Sequence, residues 1–239
     1  MQITFDITRF NPATDEKPYI ESFHLDAEPT DRILLLLMRI KREHDPTLSF
    51  RKSCAHGVCG SCAMVINGKE RLACKTLVRD VLPERGKPIH LEPLRTLPVQ
   101  RDLMVDQGPF FANYVKVKPF LMNAEPAPER ERLQMPDDHS RIEDASNCIL
   151  CAACYSACPV LQQKPNGFIG PAATVQAARF NDDSRDRGFE ARLPVLDRPD
   201  GVWACEGHFE CTRVCPRGIK VTKLINLTKR RISQLRPQD

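Results

Sequence analysis

The chemistry legible in this chain lies in its cysteines, which fall into groups of four, four and three. Cys54, Cys59, Cys62 and Cys74 follow the spacing C-x4-C-x2-C-x11-C. Cys148, Cys151, Cys154 and Cys158 follow C-x2-C-x2-C-x3-C and run into Pro159; Cys205, Cys211 and Cys215 run into Pro216. Eleven thiols cannot all close into disulfides, and crowding at such intervals suits thiolate ligation of metal rather than a disulfide framework. Every cysteine is then used, and none is left to act as a nucleophile.

The first spacing is that of the plant-type [2Fe-2S] arrangement, and the second is the bacterial ferredoxin run whose fourth cysteine serves the other cluster. A tetrahedral zinc knuckle could use the first four thiolates, although zinc sites favour simpler paired spacings; the density of the second run argues against a single ion. To wrap a cluster the first loop has to curl, so Gly57 and Gly60 are expected to relieve crowding where a side chain would meet the inorganic core. Backbone N–H groups freed by the curl can face the sulfurs. Asn67-Gly68 after Met64-Val65-Ile66 signals a hairpin, from which Cys74 arrives on a strand-like segment.

In the same register the third group reads Cys205-x2-His208-x2-Cys211-x3-Cys215-Pro216, a second ferredoxin run with histidine at its second cysteine position. Crossed ligation assigns Cys148, Cys151, Cys154 and Cys215 to a [4Fe-4S] cluster. It leaves Cys158, Cys205 and Cys211 for a site of three thiols, which suits a [3Fe-4S] cluster. His208 could ligate a fourth iron, fill space beside the cluster, or simply pack or face solvent. A cluster lacking one iron and one thiolate is less negative and should be easier to reduce.

These groups need elements to hold them. Residues 2–10 alternate polar and apolar and predict a strand, residues 19–25 a second, and residues 33–41 a helix capped by Thr30 or Asp31. The fold class expected is α+β: an N-terminal β-grasp plant-type [2Fe-2S] ferredoxin domain over 1–104, closing soon after Leu94, and a C-terminal all-helical bacterial-ferredoxin-like dicluster domain over 105–239. Glu125-Pro126-Ala127-Pro128-Glu129-Arg130 reads as a polar connection. Helices are expected over 172–180 and 221–235. The latter carries Lys223, Lys229, Arg230 and Arg231, either as a contact to a partner or lipid headgroups or as a solvated face. Trp203 either joins a quinone-side surface or packs on the cluster loop.

Composition narrows the function. Of 239 residues, 35 are basic and 31 acidic, giving a net charge of +4, which gives no field strong enough to imply nucleic acid. The longest apolar run, Ile33-Leu34-Leu35-Leu36-Leu37-Met38, is far short of the roughly 20 residues that span a bilayer. The start lacks the plan of an export signal, so cytoplasmic residence is expected. There is no dinucleotide fingerprint and no phosphate loop. His56, Arg71 and Lys75 near the first group read as solvated residues or partner contacts, and no residue reads as a catalytic acid or base. Thiol-saturated iron can still carry single electrons, so three clusters make a relay for a two-electron partner. A free electron carrier, an adaptor for another reductase and a structural zinc protein are the competing classes.

The stretches SCAHGVCGSCAMVINGKERLAC, CILCAACYSACP, GFIGPAA, NDDSRD, GVWAC and CTRVCP occur in this order. Together they resemble the iron-sulfur subunit of succinate dehydrogenase and quinol:fumarate reductase, the complex II family, over nearly the whole chain. The resemblance implies a flavoprotein partner with covalent FAD that interconverts fumarate and succinate, one or two membrane-anchor subunits that can carry haem b, and quinone near the [3Fe-4S] cluster. It also implies a peripheral position on the cytoplasmic face of the inner membrane. Many members carry arginine after the first cluster cysteine, where this chain has Ala55. Ubiquinone-reducing bacterial relatives tend to have tryptophans shortly after the Cys158 position and histidine directly after the Cys205 position; this chain has Gln162, Gln163 and Glu206. These departures look more like the menaquinone-linked fumarate reductases of anaerobic respiration than like a succinate dehydrogenase of the tricarboxylic acid cycle.

Overall fold

The alternation in the opening residues becomes β1 (Gln2–Arg9), with Ile3, Phe5 and Ile7 buried on one face. It pairs antiparallel with β2 (Tyr19–Asp26), Phe5 opposite Phe23. Helix α1 (Ile33–Glu43) follows, then β3 (Ala63–Ile66) and β4 (Lys69–Leu72), joined at Asn67-Gly68. Both turn residues have positive φ, 49° and 76°, as the expected tight hairpin turn demands. A short helix α2 (Val78–Val81) leads to β5 (Ile89–Glu92), which lies parallel to β1 and antiparallel to β3. The five-stranded order is β2-β1-β5-β3-β4. A small hairpin, β6 (Val99–Arg101) and β7 (Met104–Val105), ends this region.

The computed structural model describes residues 1–84 and 86–235; the last four residues of the expected second domain lie outside the described residues. Within this range the chain forms two compact units: Met1–Gln107 with Ile149–Ala157, and Gly108–Cys148 with the chain from Cys158 onward.

In the first unit α1 buries Ile33, Leu36, Leu37 and Ile40, the i, i+3, i+4, i+7 stripe of a core-facing helix. Each such side chain contributes about 1.5–3 kcal/mol relative to exposure. The expected capping by Thr30 or Asp31 does not occur: the N-cap is Arg32, without a side-chain cap, and the Asp31 carboxylate accepts from the Glu28 N–H instead. The first helical donors go to the backbone that carries Cys74, Leu34 N–H to Ala73 O and Ile33 N–H to Thr76 O, both at 3.0 Å. Those carbonyls satisfy donors that a side-chain cap would otherwise serve, so the helix end and the fourth thiol of the first group are fixed together. A buried guanidinium closes the other end. Arg9 pairs with Asp102 at 3.0 Å and with Glu21 and Asp45, while Asp102 also accepts the N–H groups of Phe10 and Ser49.

The second unit is helical: Gly108–Lys116, Pro136–Ser146, Pro159–Gln163, Pro171–Asn181, Phe189–Leu196, Glu210–Arg213 and Val221–Ser233, with a 3-10 turn at Val202–Ala204. Pro171–Asn181 is the central helix, packed on Gly108–Lys116, Pro136–Ser146, Phe189–Leu196 and Val221–Ser233. It is buried nearly all round, and its small Ala172, Ala173, Ala177 and Ala178 let neighbours approach closely. Arg192, fully buried, pairs with Asp186 through both oxygens, at 2.7 and 3.0 Å, and donates to the carbonyls of Val117, Lys118 and Phe120. The Glu125-to-Arg130 stretch is irregular and exposed, as expected of a polar connection.

Candidate iron-sulfur sites

The first loop curls through three positive-φ positions, Ala55 at 56°, Gly57 at 75° and Gly60 at 72°. The curl turns backbone donors onto sulfur. The N–H groups of His56 and Cys59 lie 3.3 Å from Cys54 Sγ, and the Cys74 N–H lies 3.4 Å from Cys62 Sγ. The Ser61 hydroxyl donates to Cys59 Sγ at 3.3 Å. With the Ser61 hydroxyl as the main cause, the exposed Cys59 thiol is held down to about 6, ready to bind as thiolate. Burial pushes the Cys62 thiol up to about 12 against the Cys74 N–H. A metal must therefore displace that proton, which couples its binding to pH.

The glycines are also needed for contacts within the protein. A Cβ on Gly57 would strike the Lys75 side chain at 2.3 Å, and one on Gly60 would strike Cys151 Cβ at 2.6 Å and Cα at 2.8 Å. Gly60 thus makes room for the second cysteine run. Arg32, which carries no signal in the sequence, donates to Ala55 O at 3.3 Å, bringing a guanidinium to the loop.

Cys151 and Cys154 flank the start of a single helical turn, Ala153–Ser156, entered through Leu150 and Ala152 at φ 52° and 62°. Buried Glu70 on β4 accepts the Ser156 hydroxyl at 2.8 Å, Ser156 Oγ accepts the Arg95 N–H at 2.9 Å, and the Thr96 hydroxyl donates to Tyr155 O. None of these four polar residues carries a signal in the sequence; Glu70, Arg95 and Thr96 hold the turn from far along the chain.

In the second unit Cys158, Cys205 and Cys211 line one hollow, with His208, Phe168 and Thr222 among its other walls. Cys158 precedes Pro159 at the start of a helix, and burial raises its thiol while the N–H groups of Leu161 and Val160 oppose this. Burial likewise raises Cys211, whose Sγ lies 3.4 Å from the Thr222 hydroxyl. The Cys205 charge acts on both, which places the three thiols as neighbours. Lys229 donates to Cys205 O at 2.6 Å, and Arg231 to Asn181 O at 2.8 Å. Two of the four basic residues on the last helix thus brace the fold, while Lys223 and Arg230 stay exposed. The Trp203 indole donates to Asp197 at 2.6 Å.

All of these ligand candidates are sulfur, and hydrogen-bond donors reach sulfurs in both units, a donor chemistry that fits iron-sulfur clusters. Among the described residues no three His, Cys, Asp or Glu side chains close together as a single-ion site would.

Residues 4–112 match the family model of a 2Fe-2S iron-sulfur cluster binding domain, and residues 144–219 that of a 4Fe-4S dicluster domain. The chain is 44% identical over 224 residues to the succinate dehydrogenase iron-sulfur subunit of Coxiella burnetii, covering 93% of this chain and 94% of the relative. This chain belongs to the iron-sulfur subunits of the succinate dehydrogenase and fumarate reductase family. The fumarate reductase iron-sulfur subunit of Mycobacterium tuberculosis is 40% identical over 220 residues, 91% of this chain and 87% of the relative. Among solved structures, the Mycobacterium smegmatis Sdh1 complex in the apo form matches with a TM-score of 0.87 and 25% identity, covering 98% of this chain and 96% of that one. The family subunit is α+β, with a [2Fe-2S] ferredoxin domain and a helical dicluster domain. It is the electron-transfer subunit of a complex II oxidoreductase with [2Fe-2S], [4Fe-4S] and [3Fe-4S] clusters. Its family partners are a flavoprotein and a membrane anchor. Among the described residues no helix is long and apolar enough to cross a membrane.

Proposed function

We propose that this subunit relays electrons singly from menaquinol to the flavoprotein of a quinol:fumarate reductase. The ligands of the [2Fe-2S] cluster are Cys54, Cys59, Cys62 and Cys74, those of the [4Fe-4S] cluster are Cys148, Cys151, Cys154 and Cys215, and those of the [3Fe-4S] cluster are Cys158, Cys205 and Cys211. The observation that carries the relay is the set of donors aimed at sulfur at both ends of the chain, around Cys54, Cys59 and Cys62 and around Cys158 and Cys211. Such donors stabilise clusters electrostatically and set their potentials. Each cluster, when bound, carries one electron at a time.

The domains run 1–104 and 105–239, quinone binds near the third cluster, and the complex lies on the cytoplasmic face of the inner membrane through anchors that can hold haem b. The direction rests on Gln162, Gln163 and Glu206, where ubiquinone-reducing relatives tend to carry tryptophan and histidine. The Coxiella burnetii relative, named as a succinate dehydrogenase subunit at 44% identity, supports the second reading, electron flow from succinate to quinone.

Redox titration of the purified membrane complex, with rates of fumarate reduction by menaquinol and of succinate oxidation by ubiquinone, separates the two. Faster fumarate reduction is expected. Faster succinate oxidation, with a third-cluster potential too high for the cluster to pass electrons on towards fumarate, overturns the proposed direction in favour of the second reading.

A further inference from the structure

His208 has the chemistry of a metal ligand and no role in the three-thiol set. In the repeated run it occupies the place that Cys151 holds in the first copy. It lines the same hollow as Cys158, Cys205 and Cys211, and its Nε2 stands 2.9 Å from Glu206 Oε2. An ionised carboxylate only accepts, so the neutral tautomer that this contact selects carries its proton on Nε2 and presents Nδ1 as the ligand atom. A carboxylate holding one imidazole nitrogen while the other binds metal is how proteins fix the tautomer and direction of ligating histidines.

The backbone supports the pairing. Gly207, between the two residues, has φ 78°, and Phe209 has φ 64°. A Cβ on Gly207 would meet nothing within 4 Å, so the glycine is there for the turn that brings Glu206 and His208 together. The side chains are 63% and 45% exposed, which leaves the ring open to ions from solvent.

We infer that His208, oriented by Glu206, is the ligand for a fourth, exchangeable ferrous ion at the open corner of the third cluster. The inference rests on the reading that Cys158, Cys205 and Cys211 hold a [3Fe-4S] cluster. Imidazole suits iron, but as a neutral ligand it offers less attraction than a thiolate, so this iron alone would come and go. The step balances. The three-iron core takes one electron, supplied by quinol or succinate oxidation in the complex, and becomes neutral; addition of Fe2+ then gives a four-iron core of charge 2+. The added iron bonds three core sulfides and His208 Nδ1 and sheds its waters. No thiolate is displaced, and in the tautomer that donates to Glu206 from Nε2 the Nδ1 lone pair binds iron without loss of a proton.

The test uses the purified complex, first treated with a chelator, then reduced with dithionite and titrated with ferrous ammonium sulfate without oxygen. Paramagnetic resonance of the reoxidised [3Fe-4S] cluster is read beside iron and sulfide content. Unsubstituted complex is expected to lose its three-iron signal, gain one iron at constant sulfide, and recover the signal on chelation. His208→Ala should keep the signal at every iron concentration, and Glu206→Gln should need about 10–100 times more iron. Retention of the signal by unsubstituted complex, or uptake by His208→Ala as ready as without the substitution, overturns the ligand role. Absence of any three-iron signal after chelation, before iron is added, overturns the underlying ligand set instead, and the inference with it.

Discussion

Substitution of Gly60 by alanine tests whether the first cluster loop and the second cysteine run are built against each other. Two costs add. At φ 72° alanine takes the left-handed conformation, at about 1–2 kcal/mol. Its Cβ would also sit 2.6 Å from Cys151 Cβ, 2.8 Å from Cys151 Cα and 3.1 Å from Ile149 O. Two of these are backbone atoms with no rotamer to yield, so overpacking adds about 1–3 kcal/mol. The total is about 2–5 kcal/mol. Gly86→Ala is the control: φ is 84° with nothing within 4 Å of the added carbon, so only the conformational cost of about 1–2 kcal/mol applies. At about 4 °C per kcal/mol for a unit of this size, Gly60→Ala should lower the melting temperature by about 8–20 °C, and the control by about 4–8 °C. Thermal melts of the intact complex, followed by the visible circular dichroism of the [2Fe-2S] centre, read the difference. If both variants melt together, the close approach to Cys151 is not what requires a glycine here.

Arg9→Ala strands the buried Asp102 carboxylate and should cost about 3–5 kcal/mol, measured as the shift in urea midpoint of the same signal; a loss below about 1 kcal/mol would count against the clamp. Burial pushes the Asp186 carboxyl up, but the Arg192 guanidinium and the N–H groups of Met122 and Gly188 outweigh it and hold it below the ordinary range. A lowered folded value adds stability above the unfolded value, about pH 4, that is lost as pH falls through the folded one. Acid titration of stability should therefore be shallower in Asp186→Asn than without the substitution, and an unchanged slope would refute this. Ser61→Ala removes the hydroxyl from Cys59 Sγ and should make the [2Fe-2S] potential more negative, because hydrogen bonds to sulfur favour the reduced, more negative cluster; a potentiometric titration showing no shift or a rise would contradict it.

The cysteine groups were legible because ligation fixes spacing along the chain, and Asn67-Gly68 because a tight turn needs two residues that tolerate positive φ. The first two strands and α1 announced themselves by period, whereas Pro136–Ser146, equally long, buries only Ile142 and Ala145 and has no apolar stripe to give it away. What escaped were partnerships set by distance along the chain. Thr30 and Asp31 are good capping types, but the α1 donors met carbonyls at Ala73 and Thr76, and no local pattern foretells that. Glu70 looked like an ordinary strand residue until Ser156 closed on it from 86 positions away. Gly60 was legible as a glycine that had to be there, but its approach to Cys151 was not, because a loop sequence says that room is needed without naming every neighbour that needs it.

The membership of Ile149–Ala157 in the first unit bears on how the protein is made. Glu70, Arg95 and Thr96, which grip this turn, leave the ribosome well before it does, and N-terminal parts of a chain generally fold first during synthesis. A receptor for Cys151 and Cys154 can thus be waiting when they emerge. Cleaving the gene between codons 104 and 105 would yield a C-terminal fragment whose middle cysteines have no mould, so iron delivery to that fragment should fail even with every thiol present.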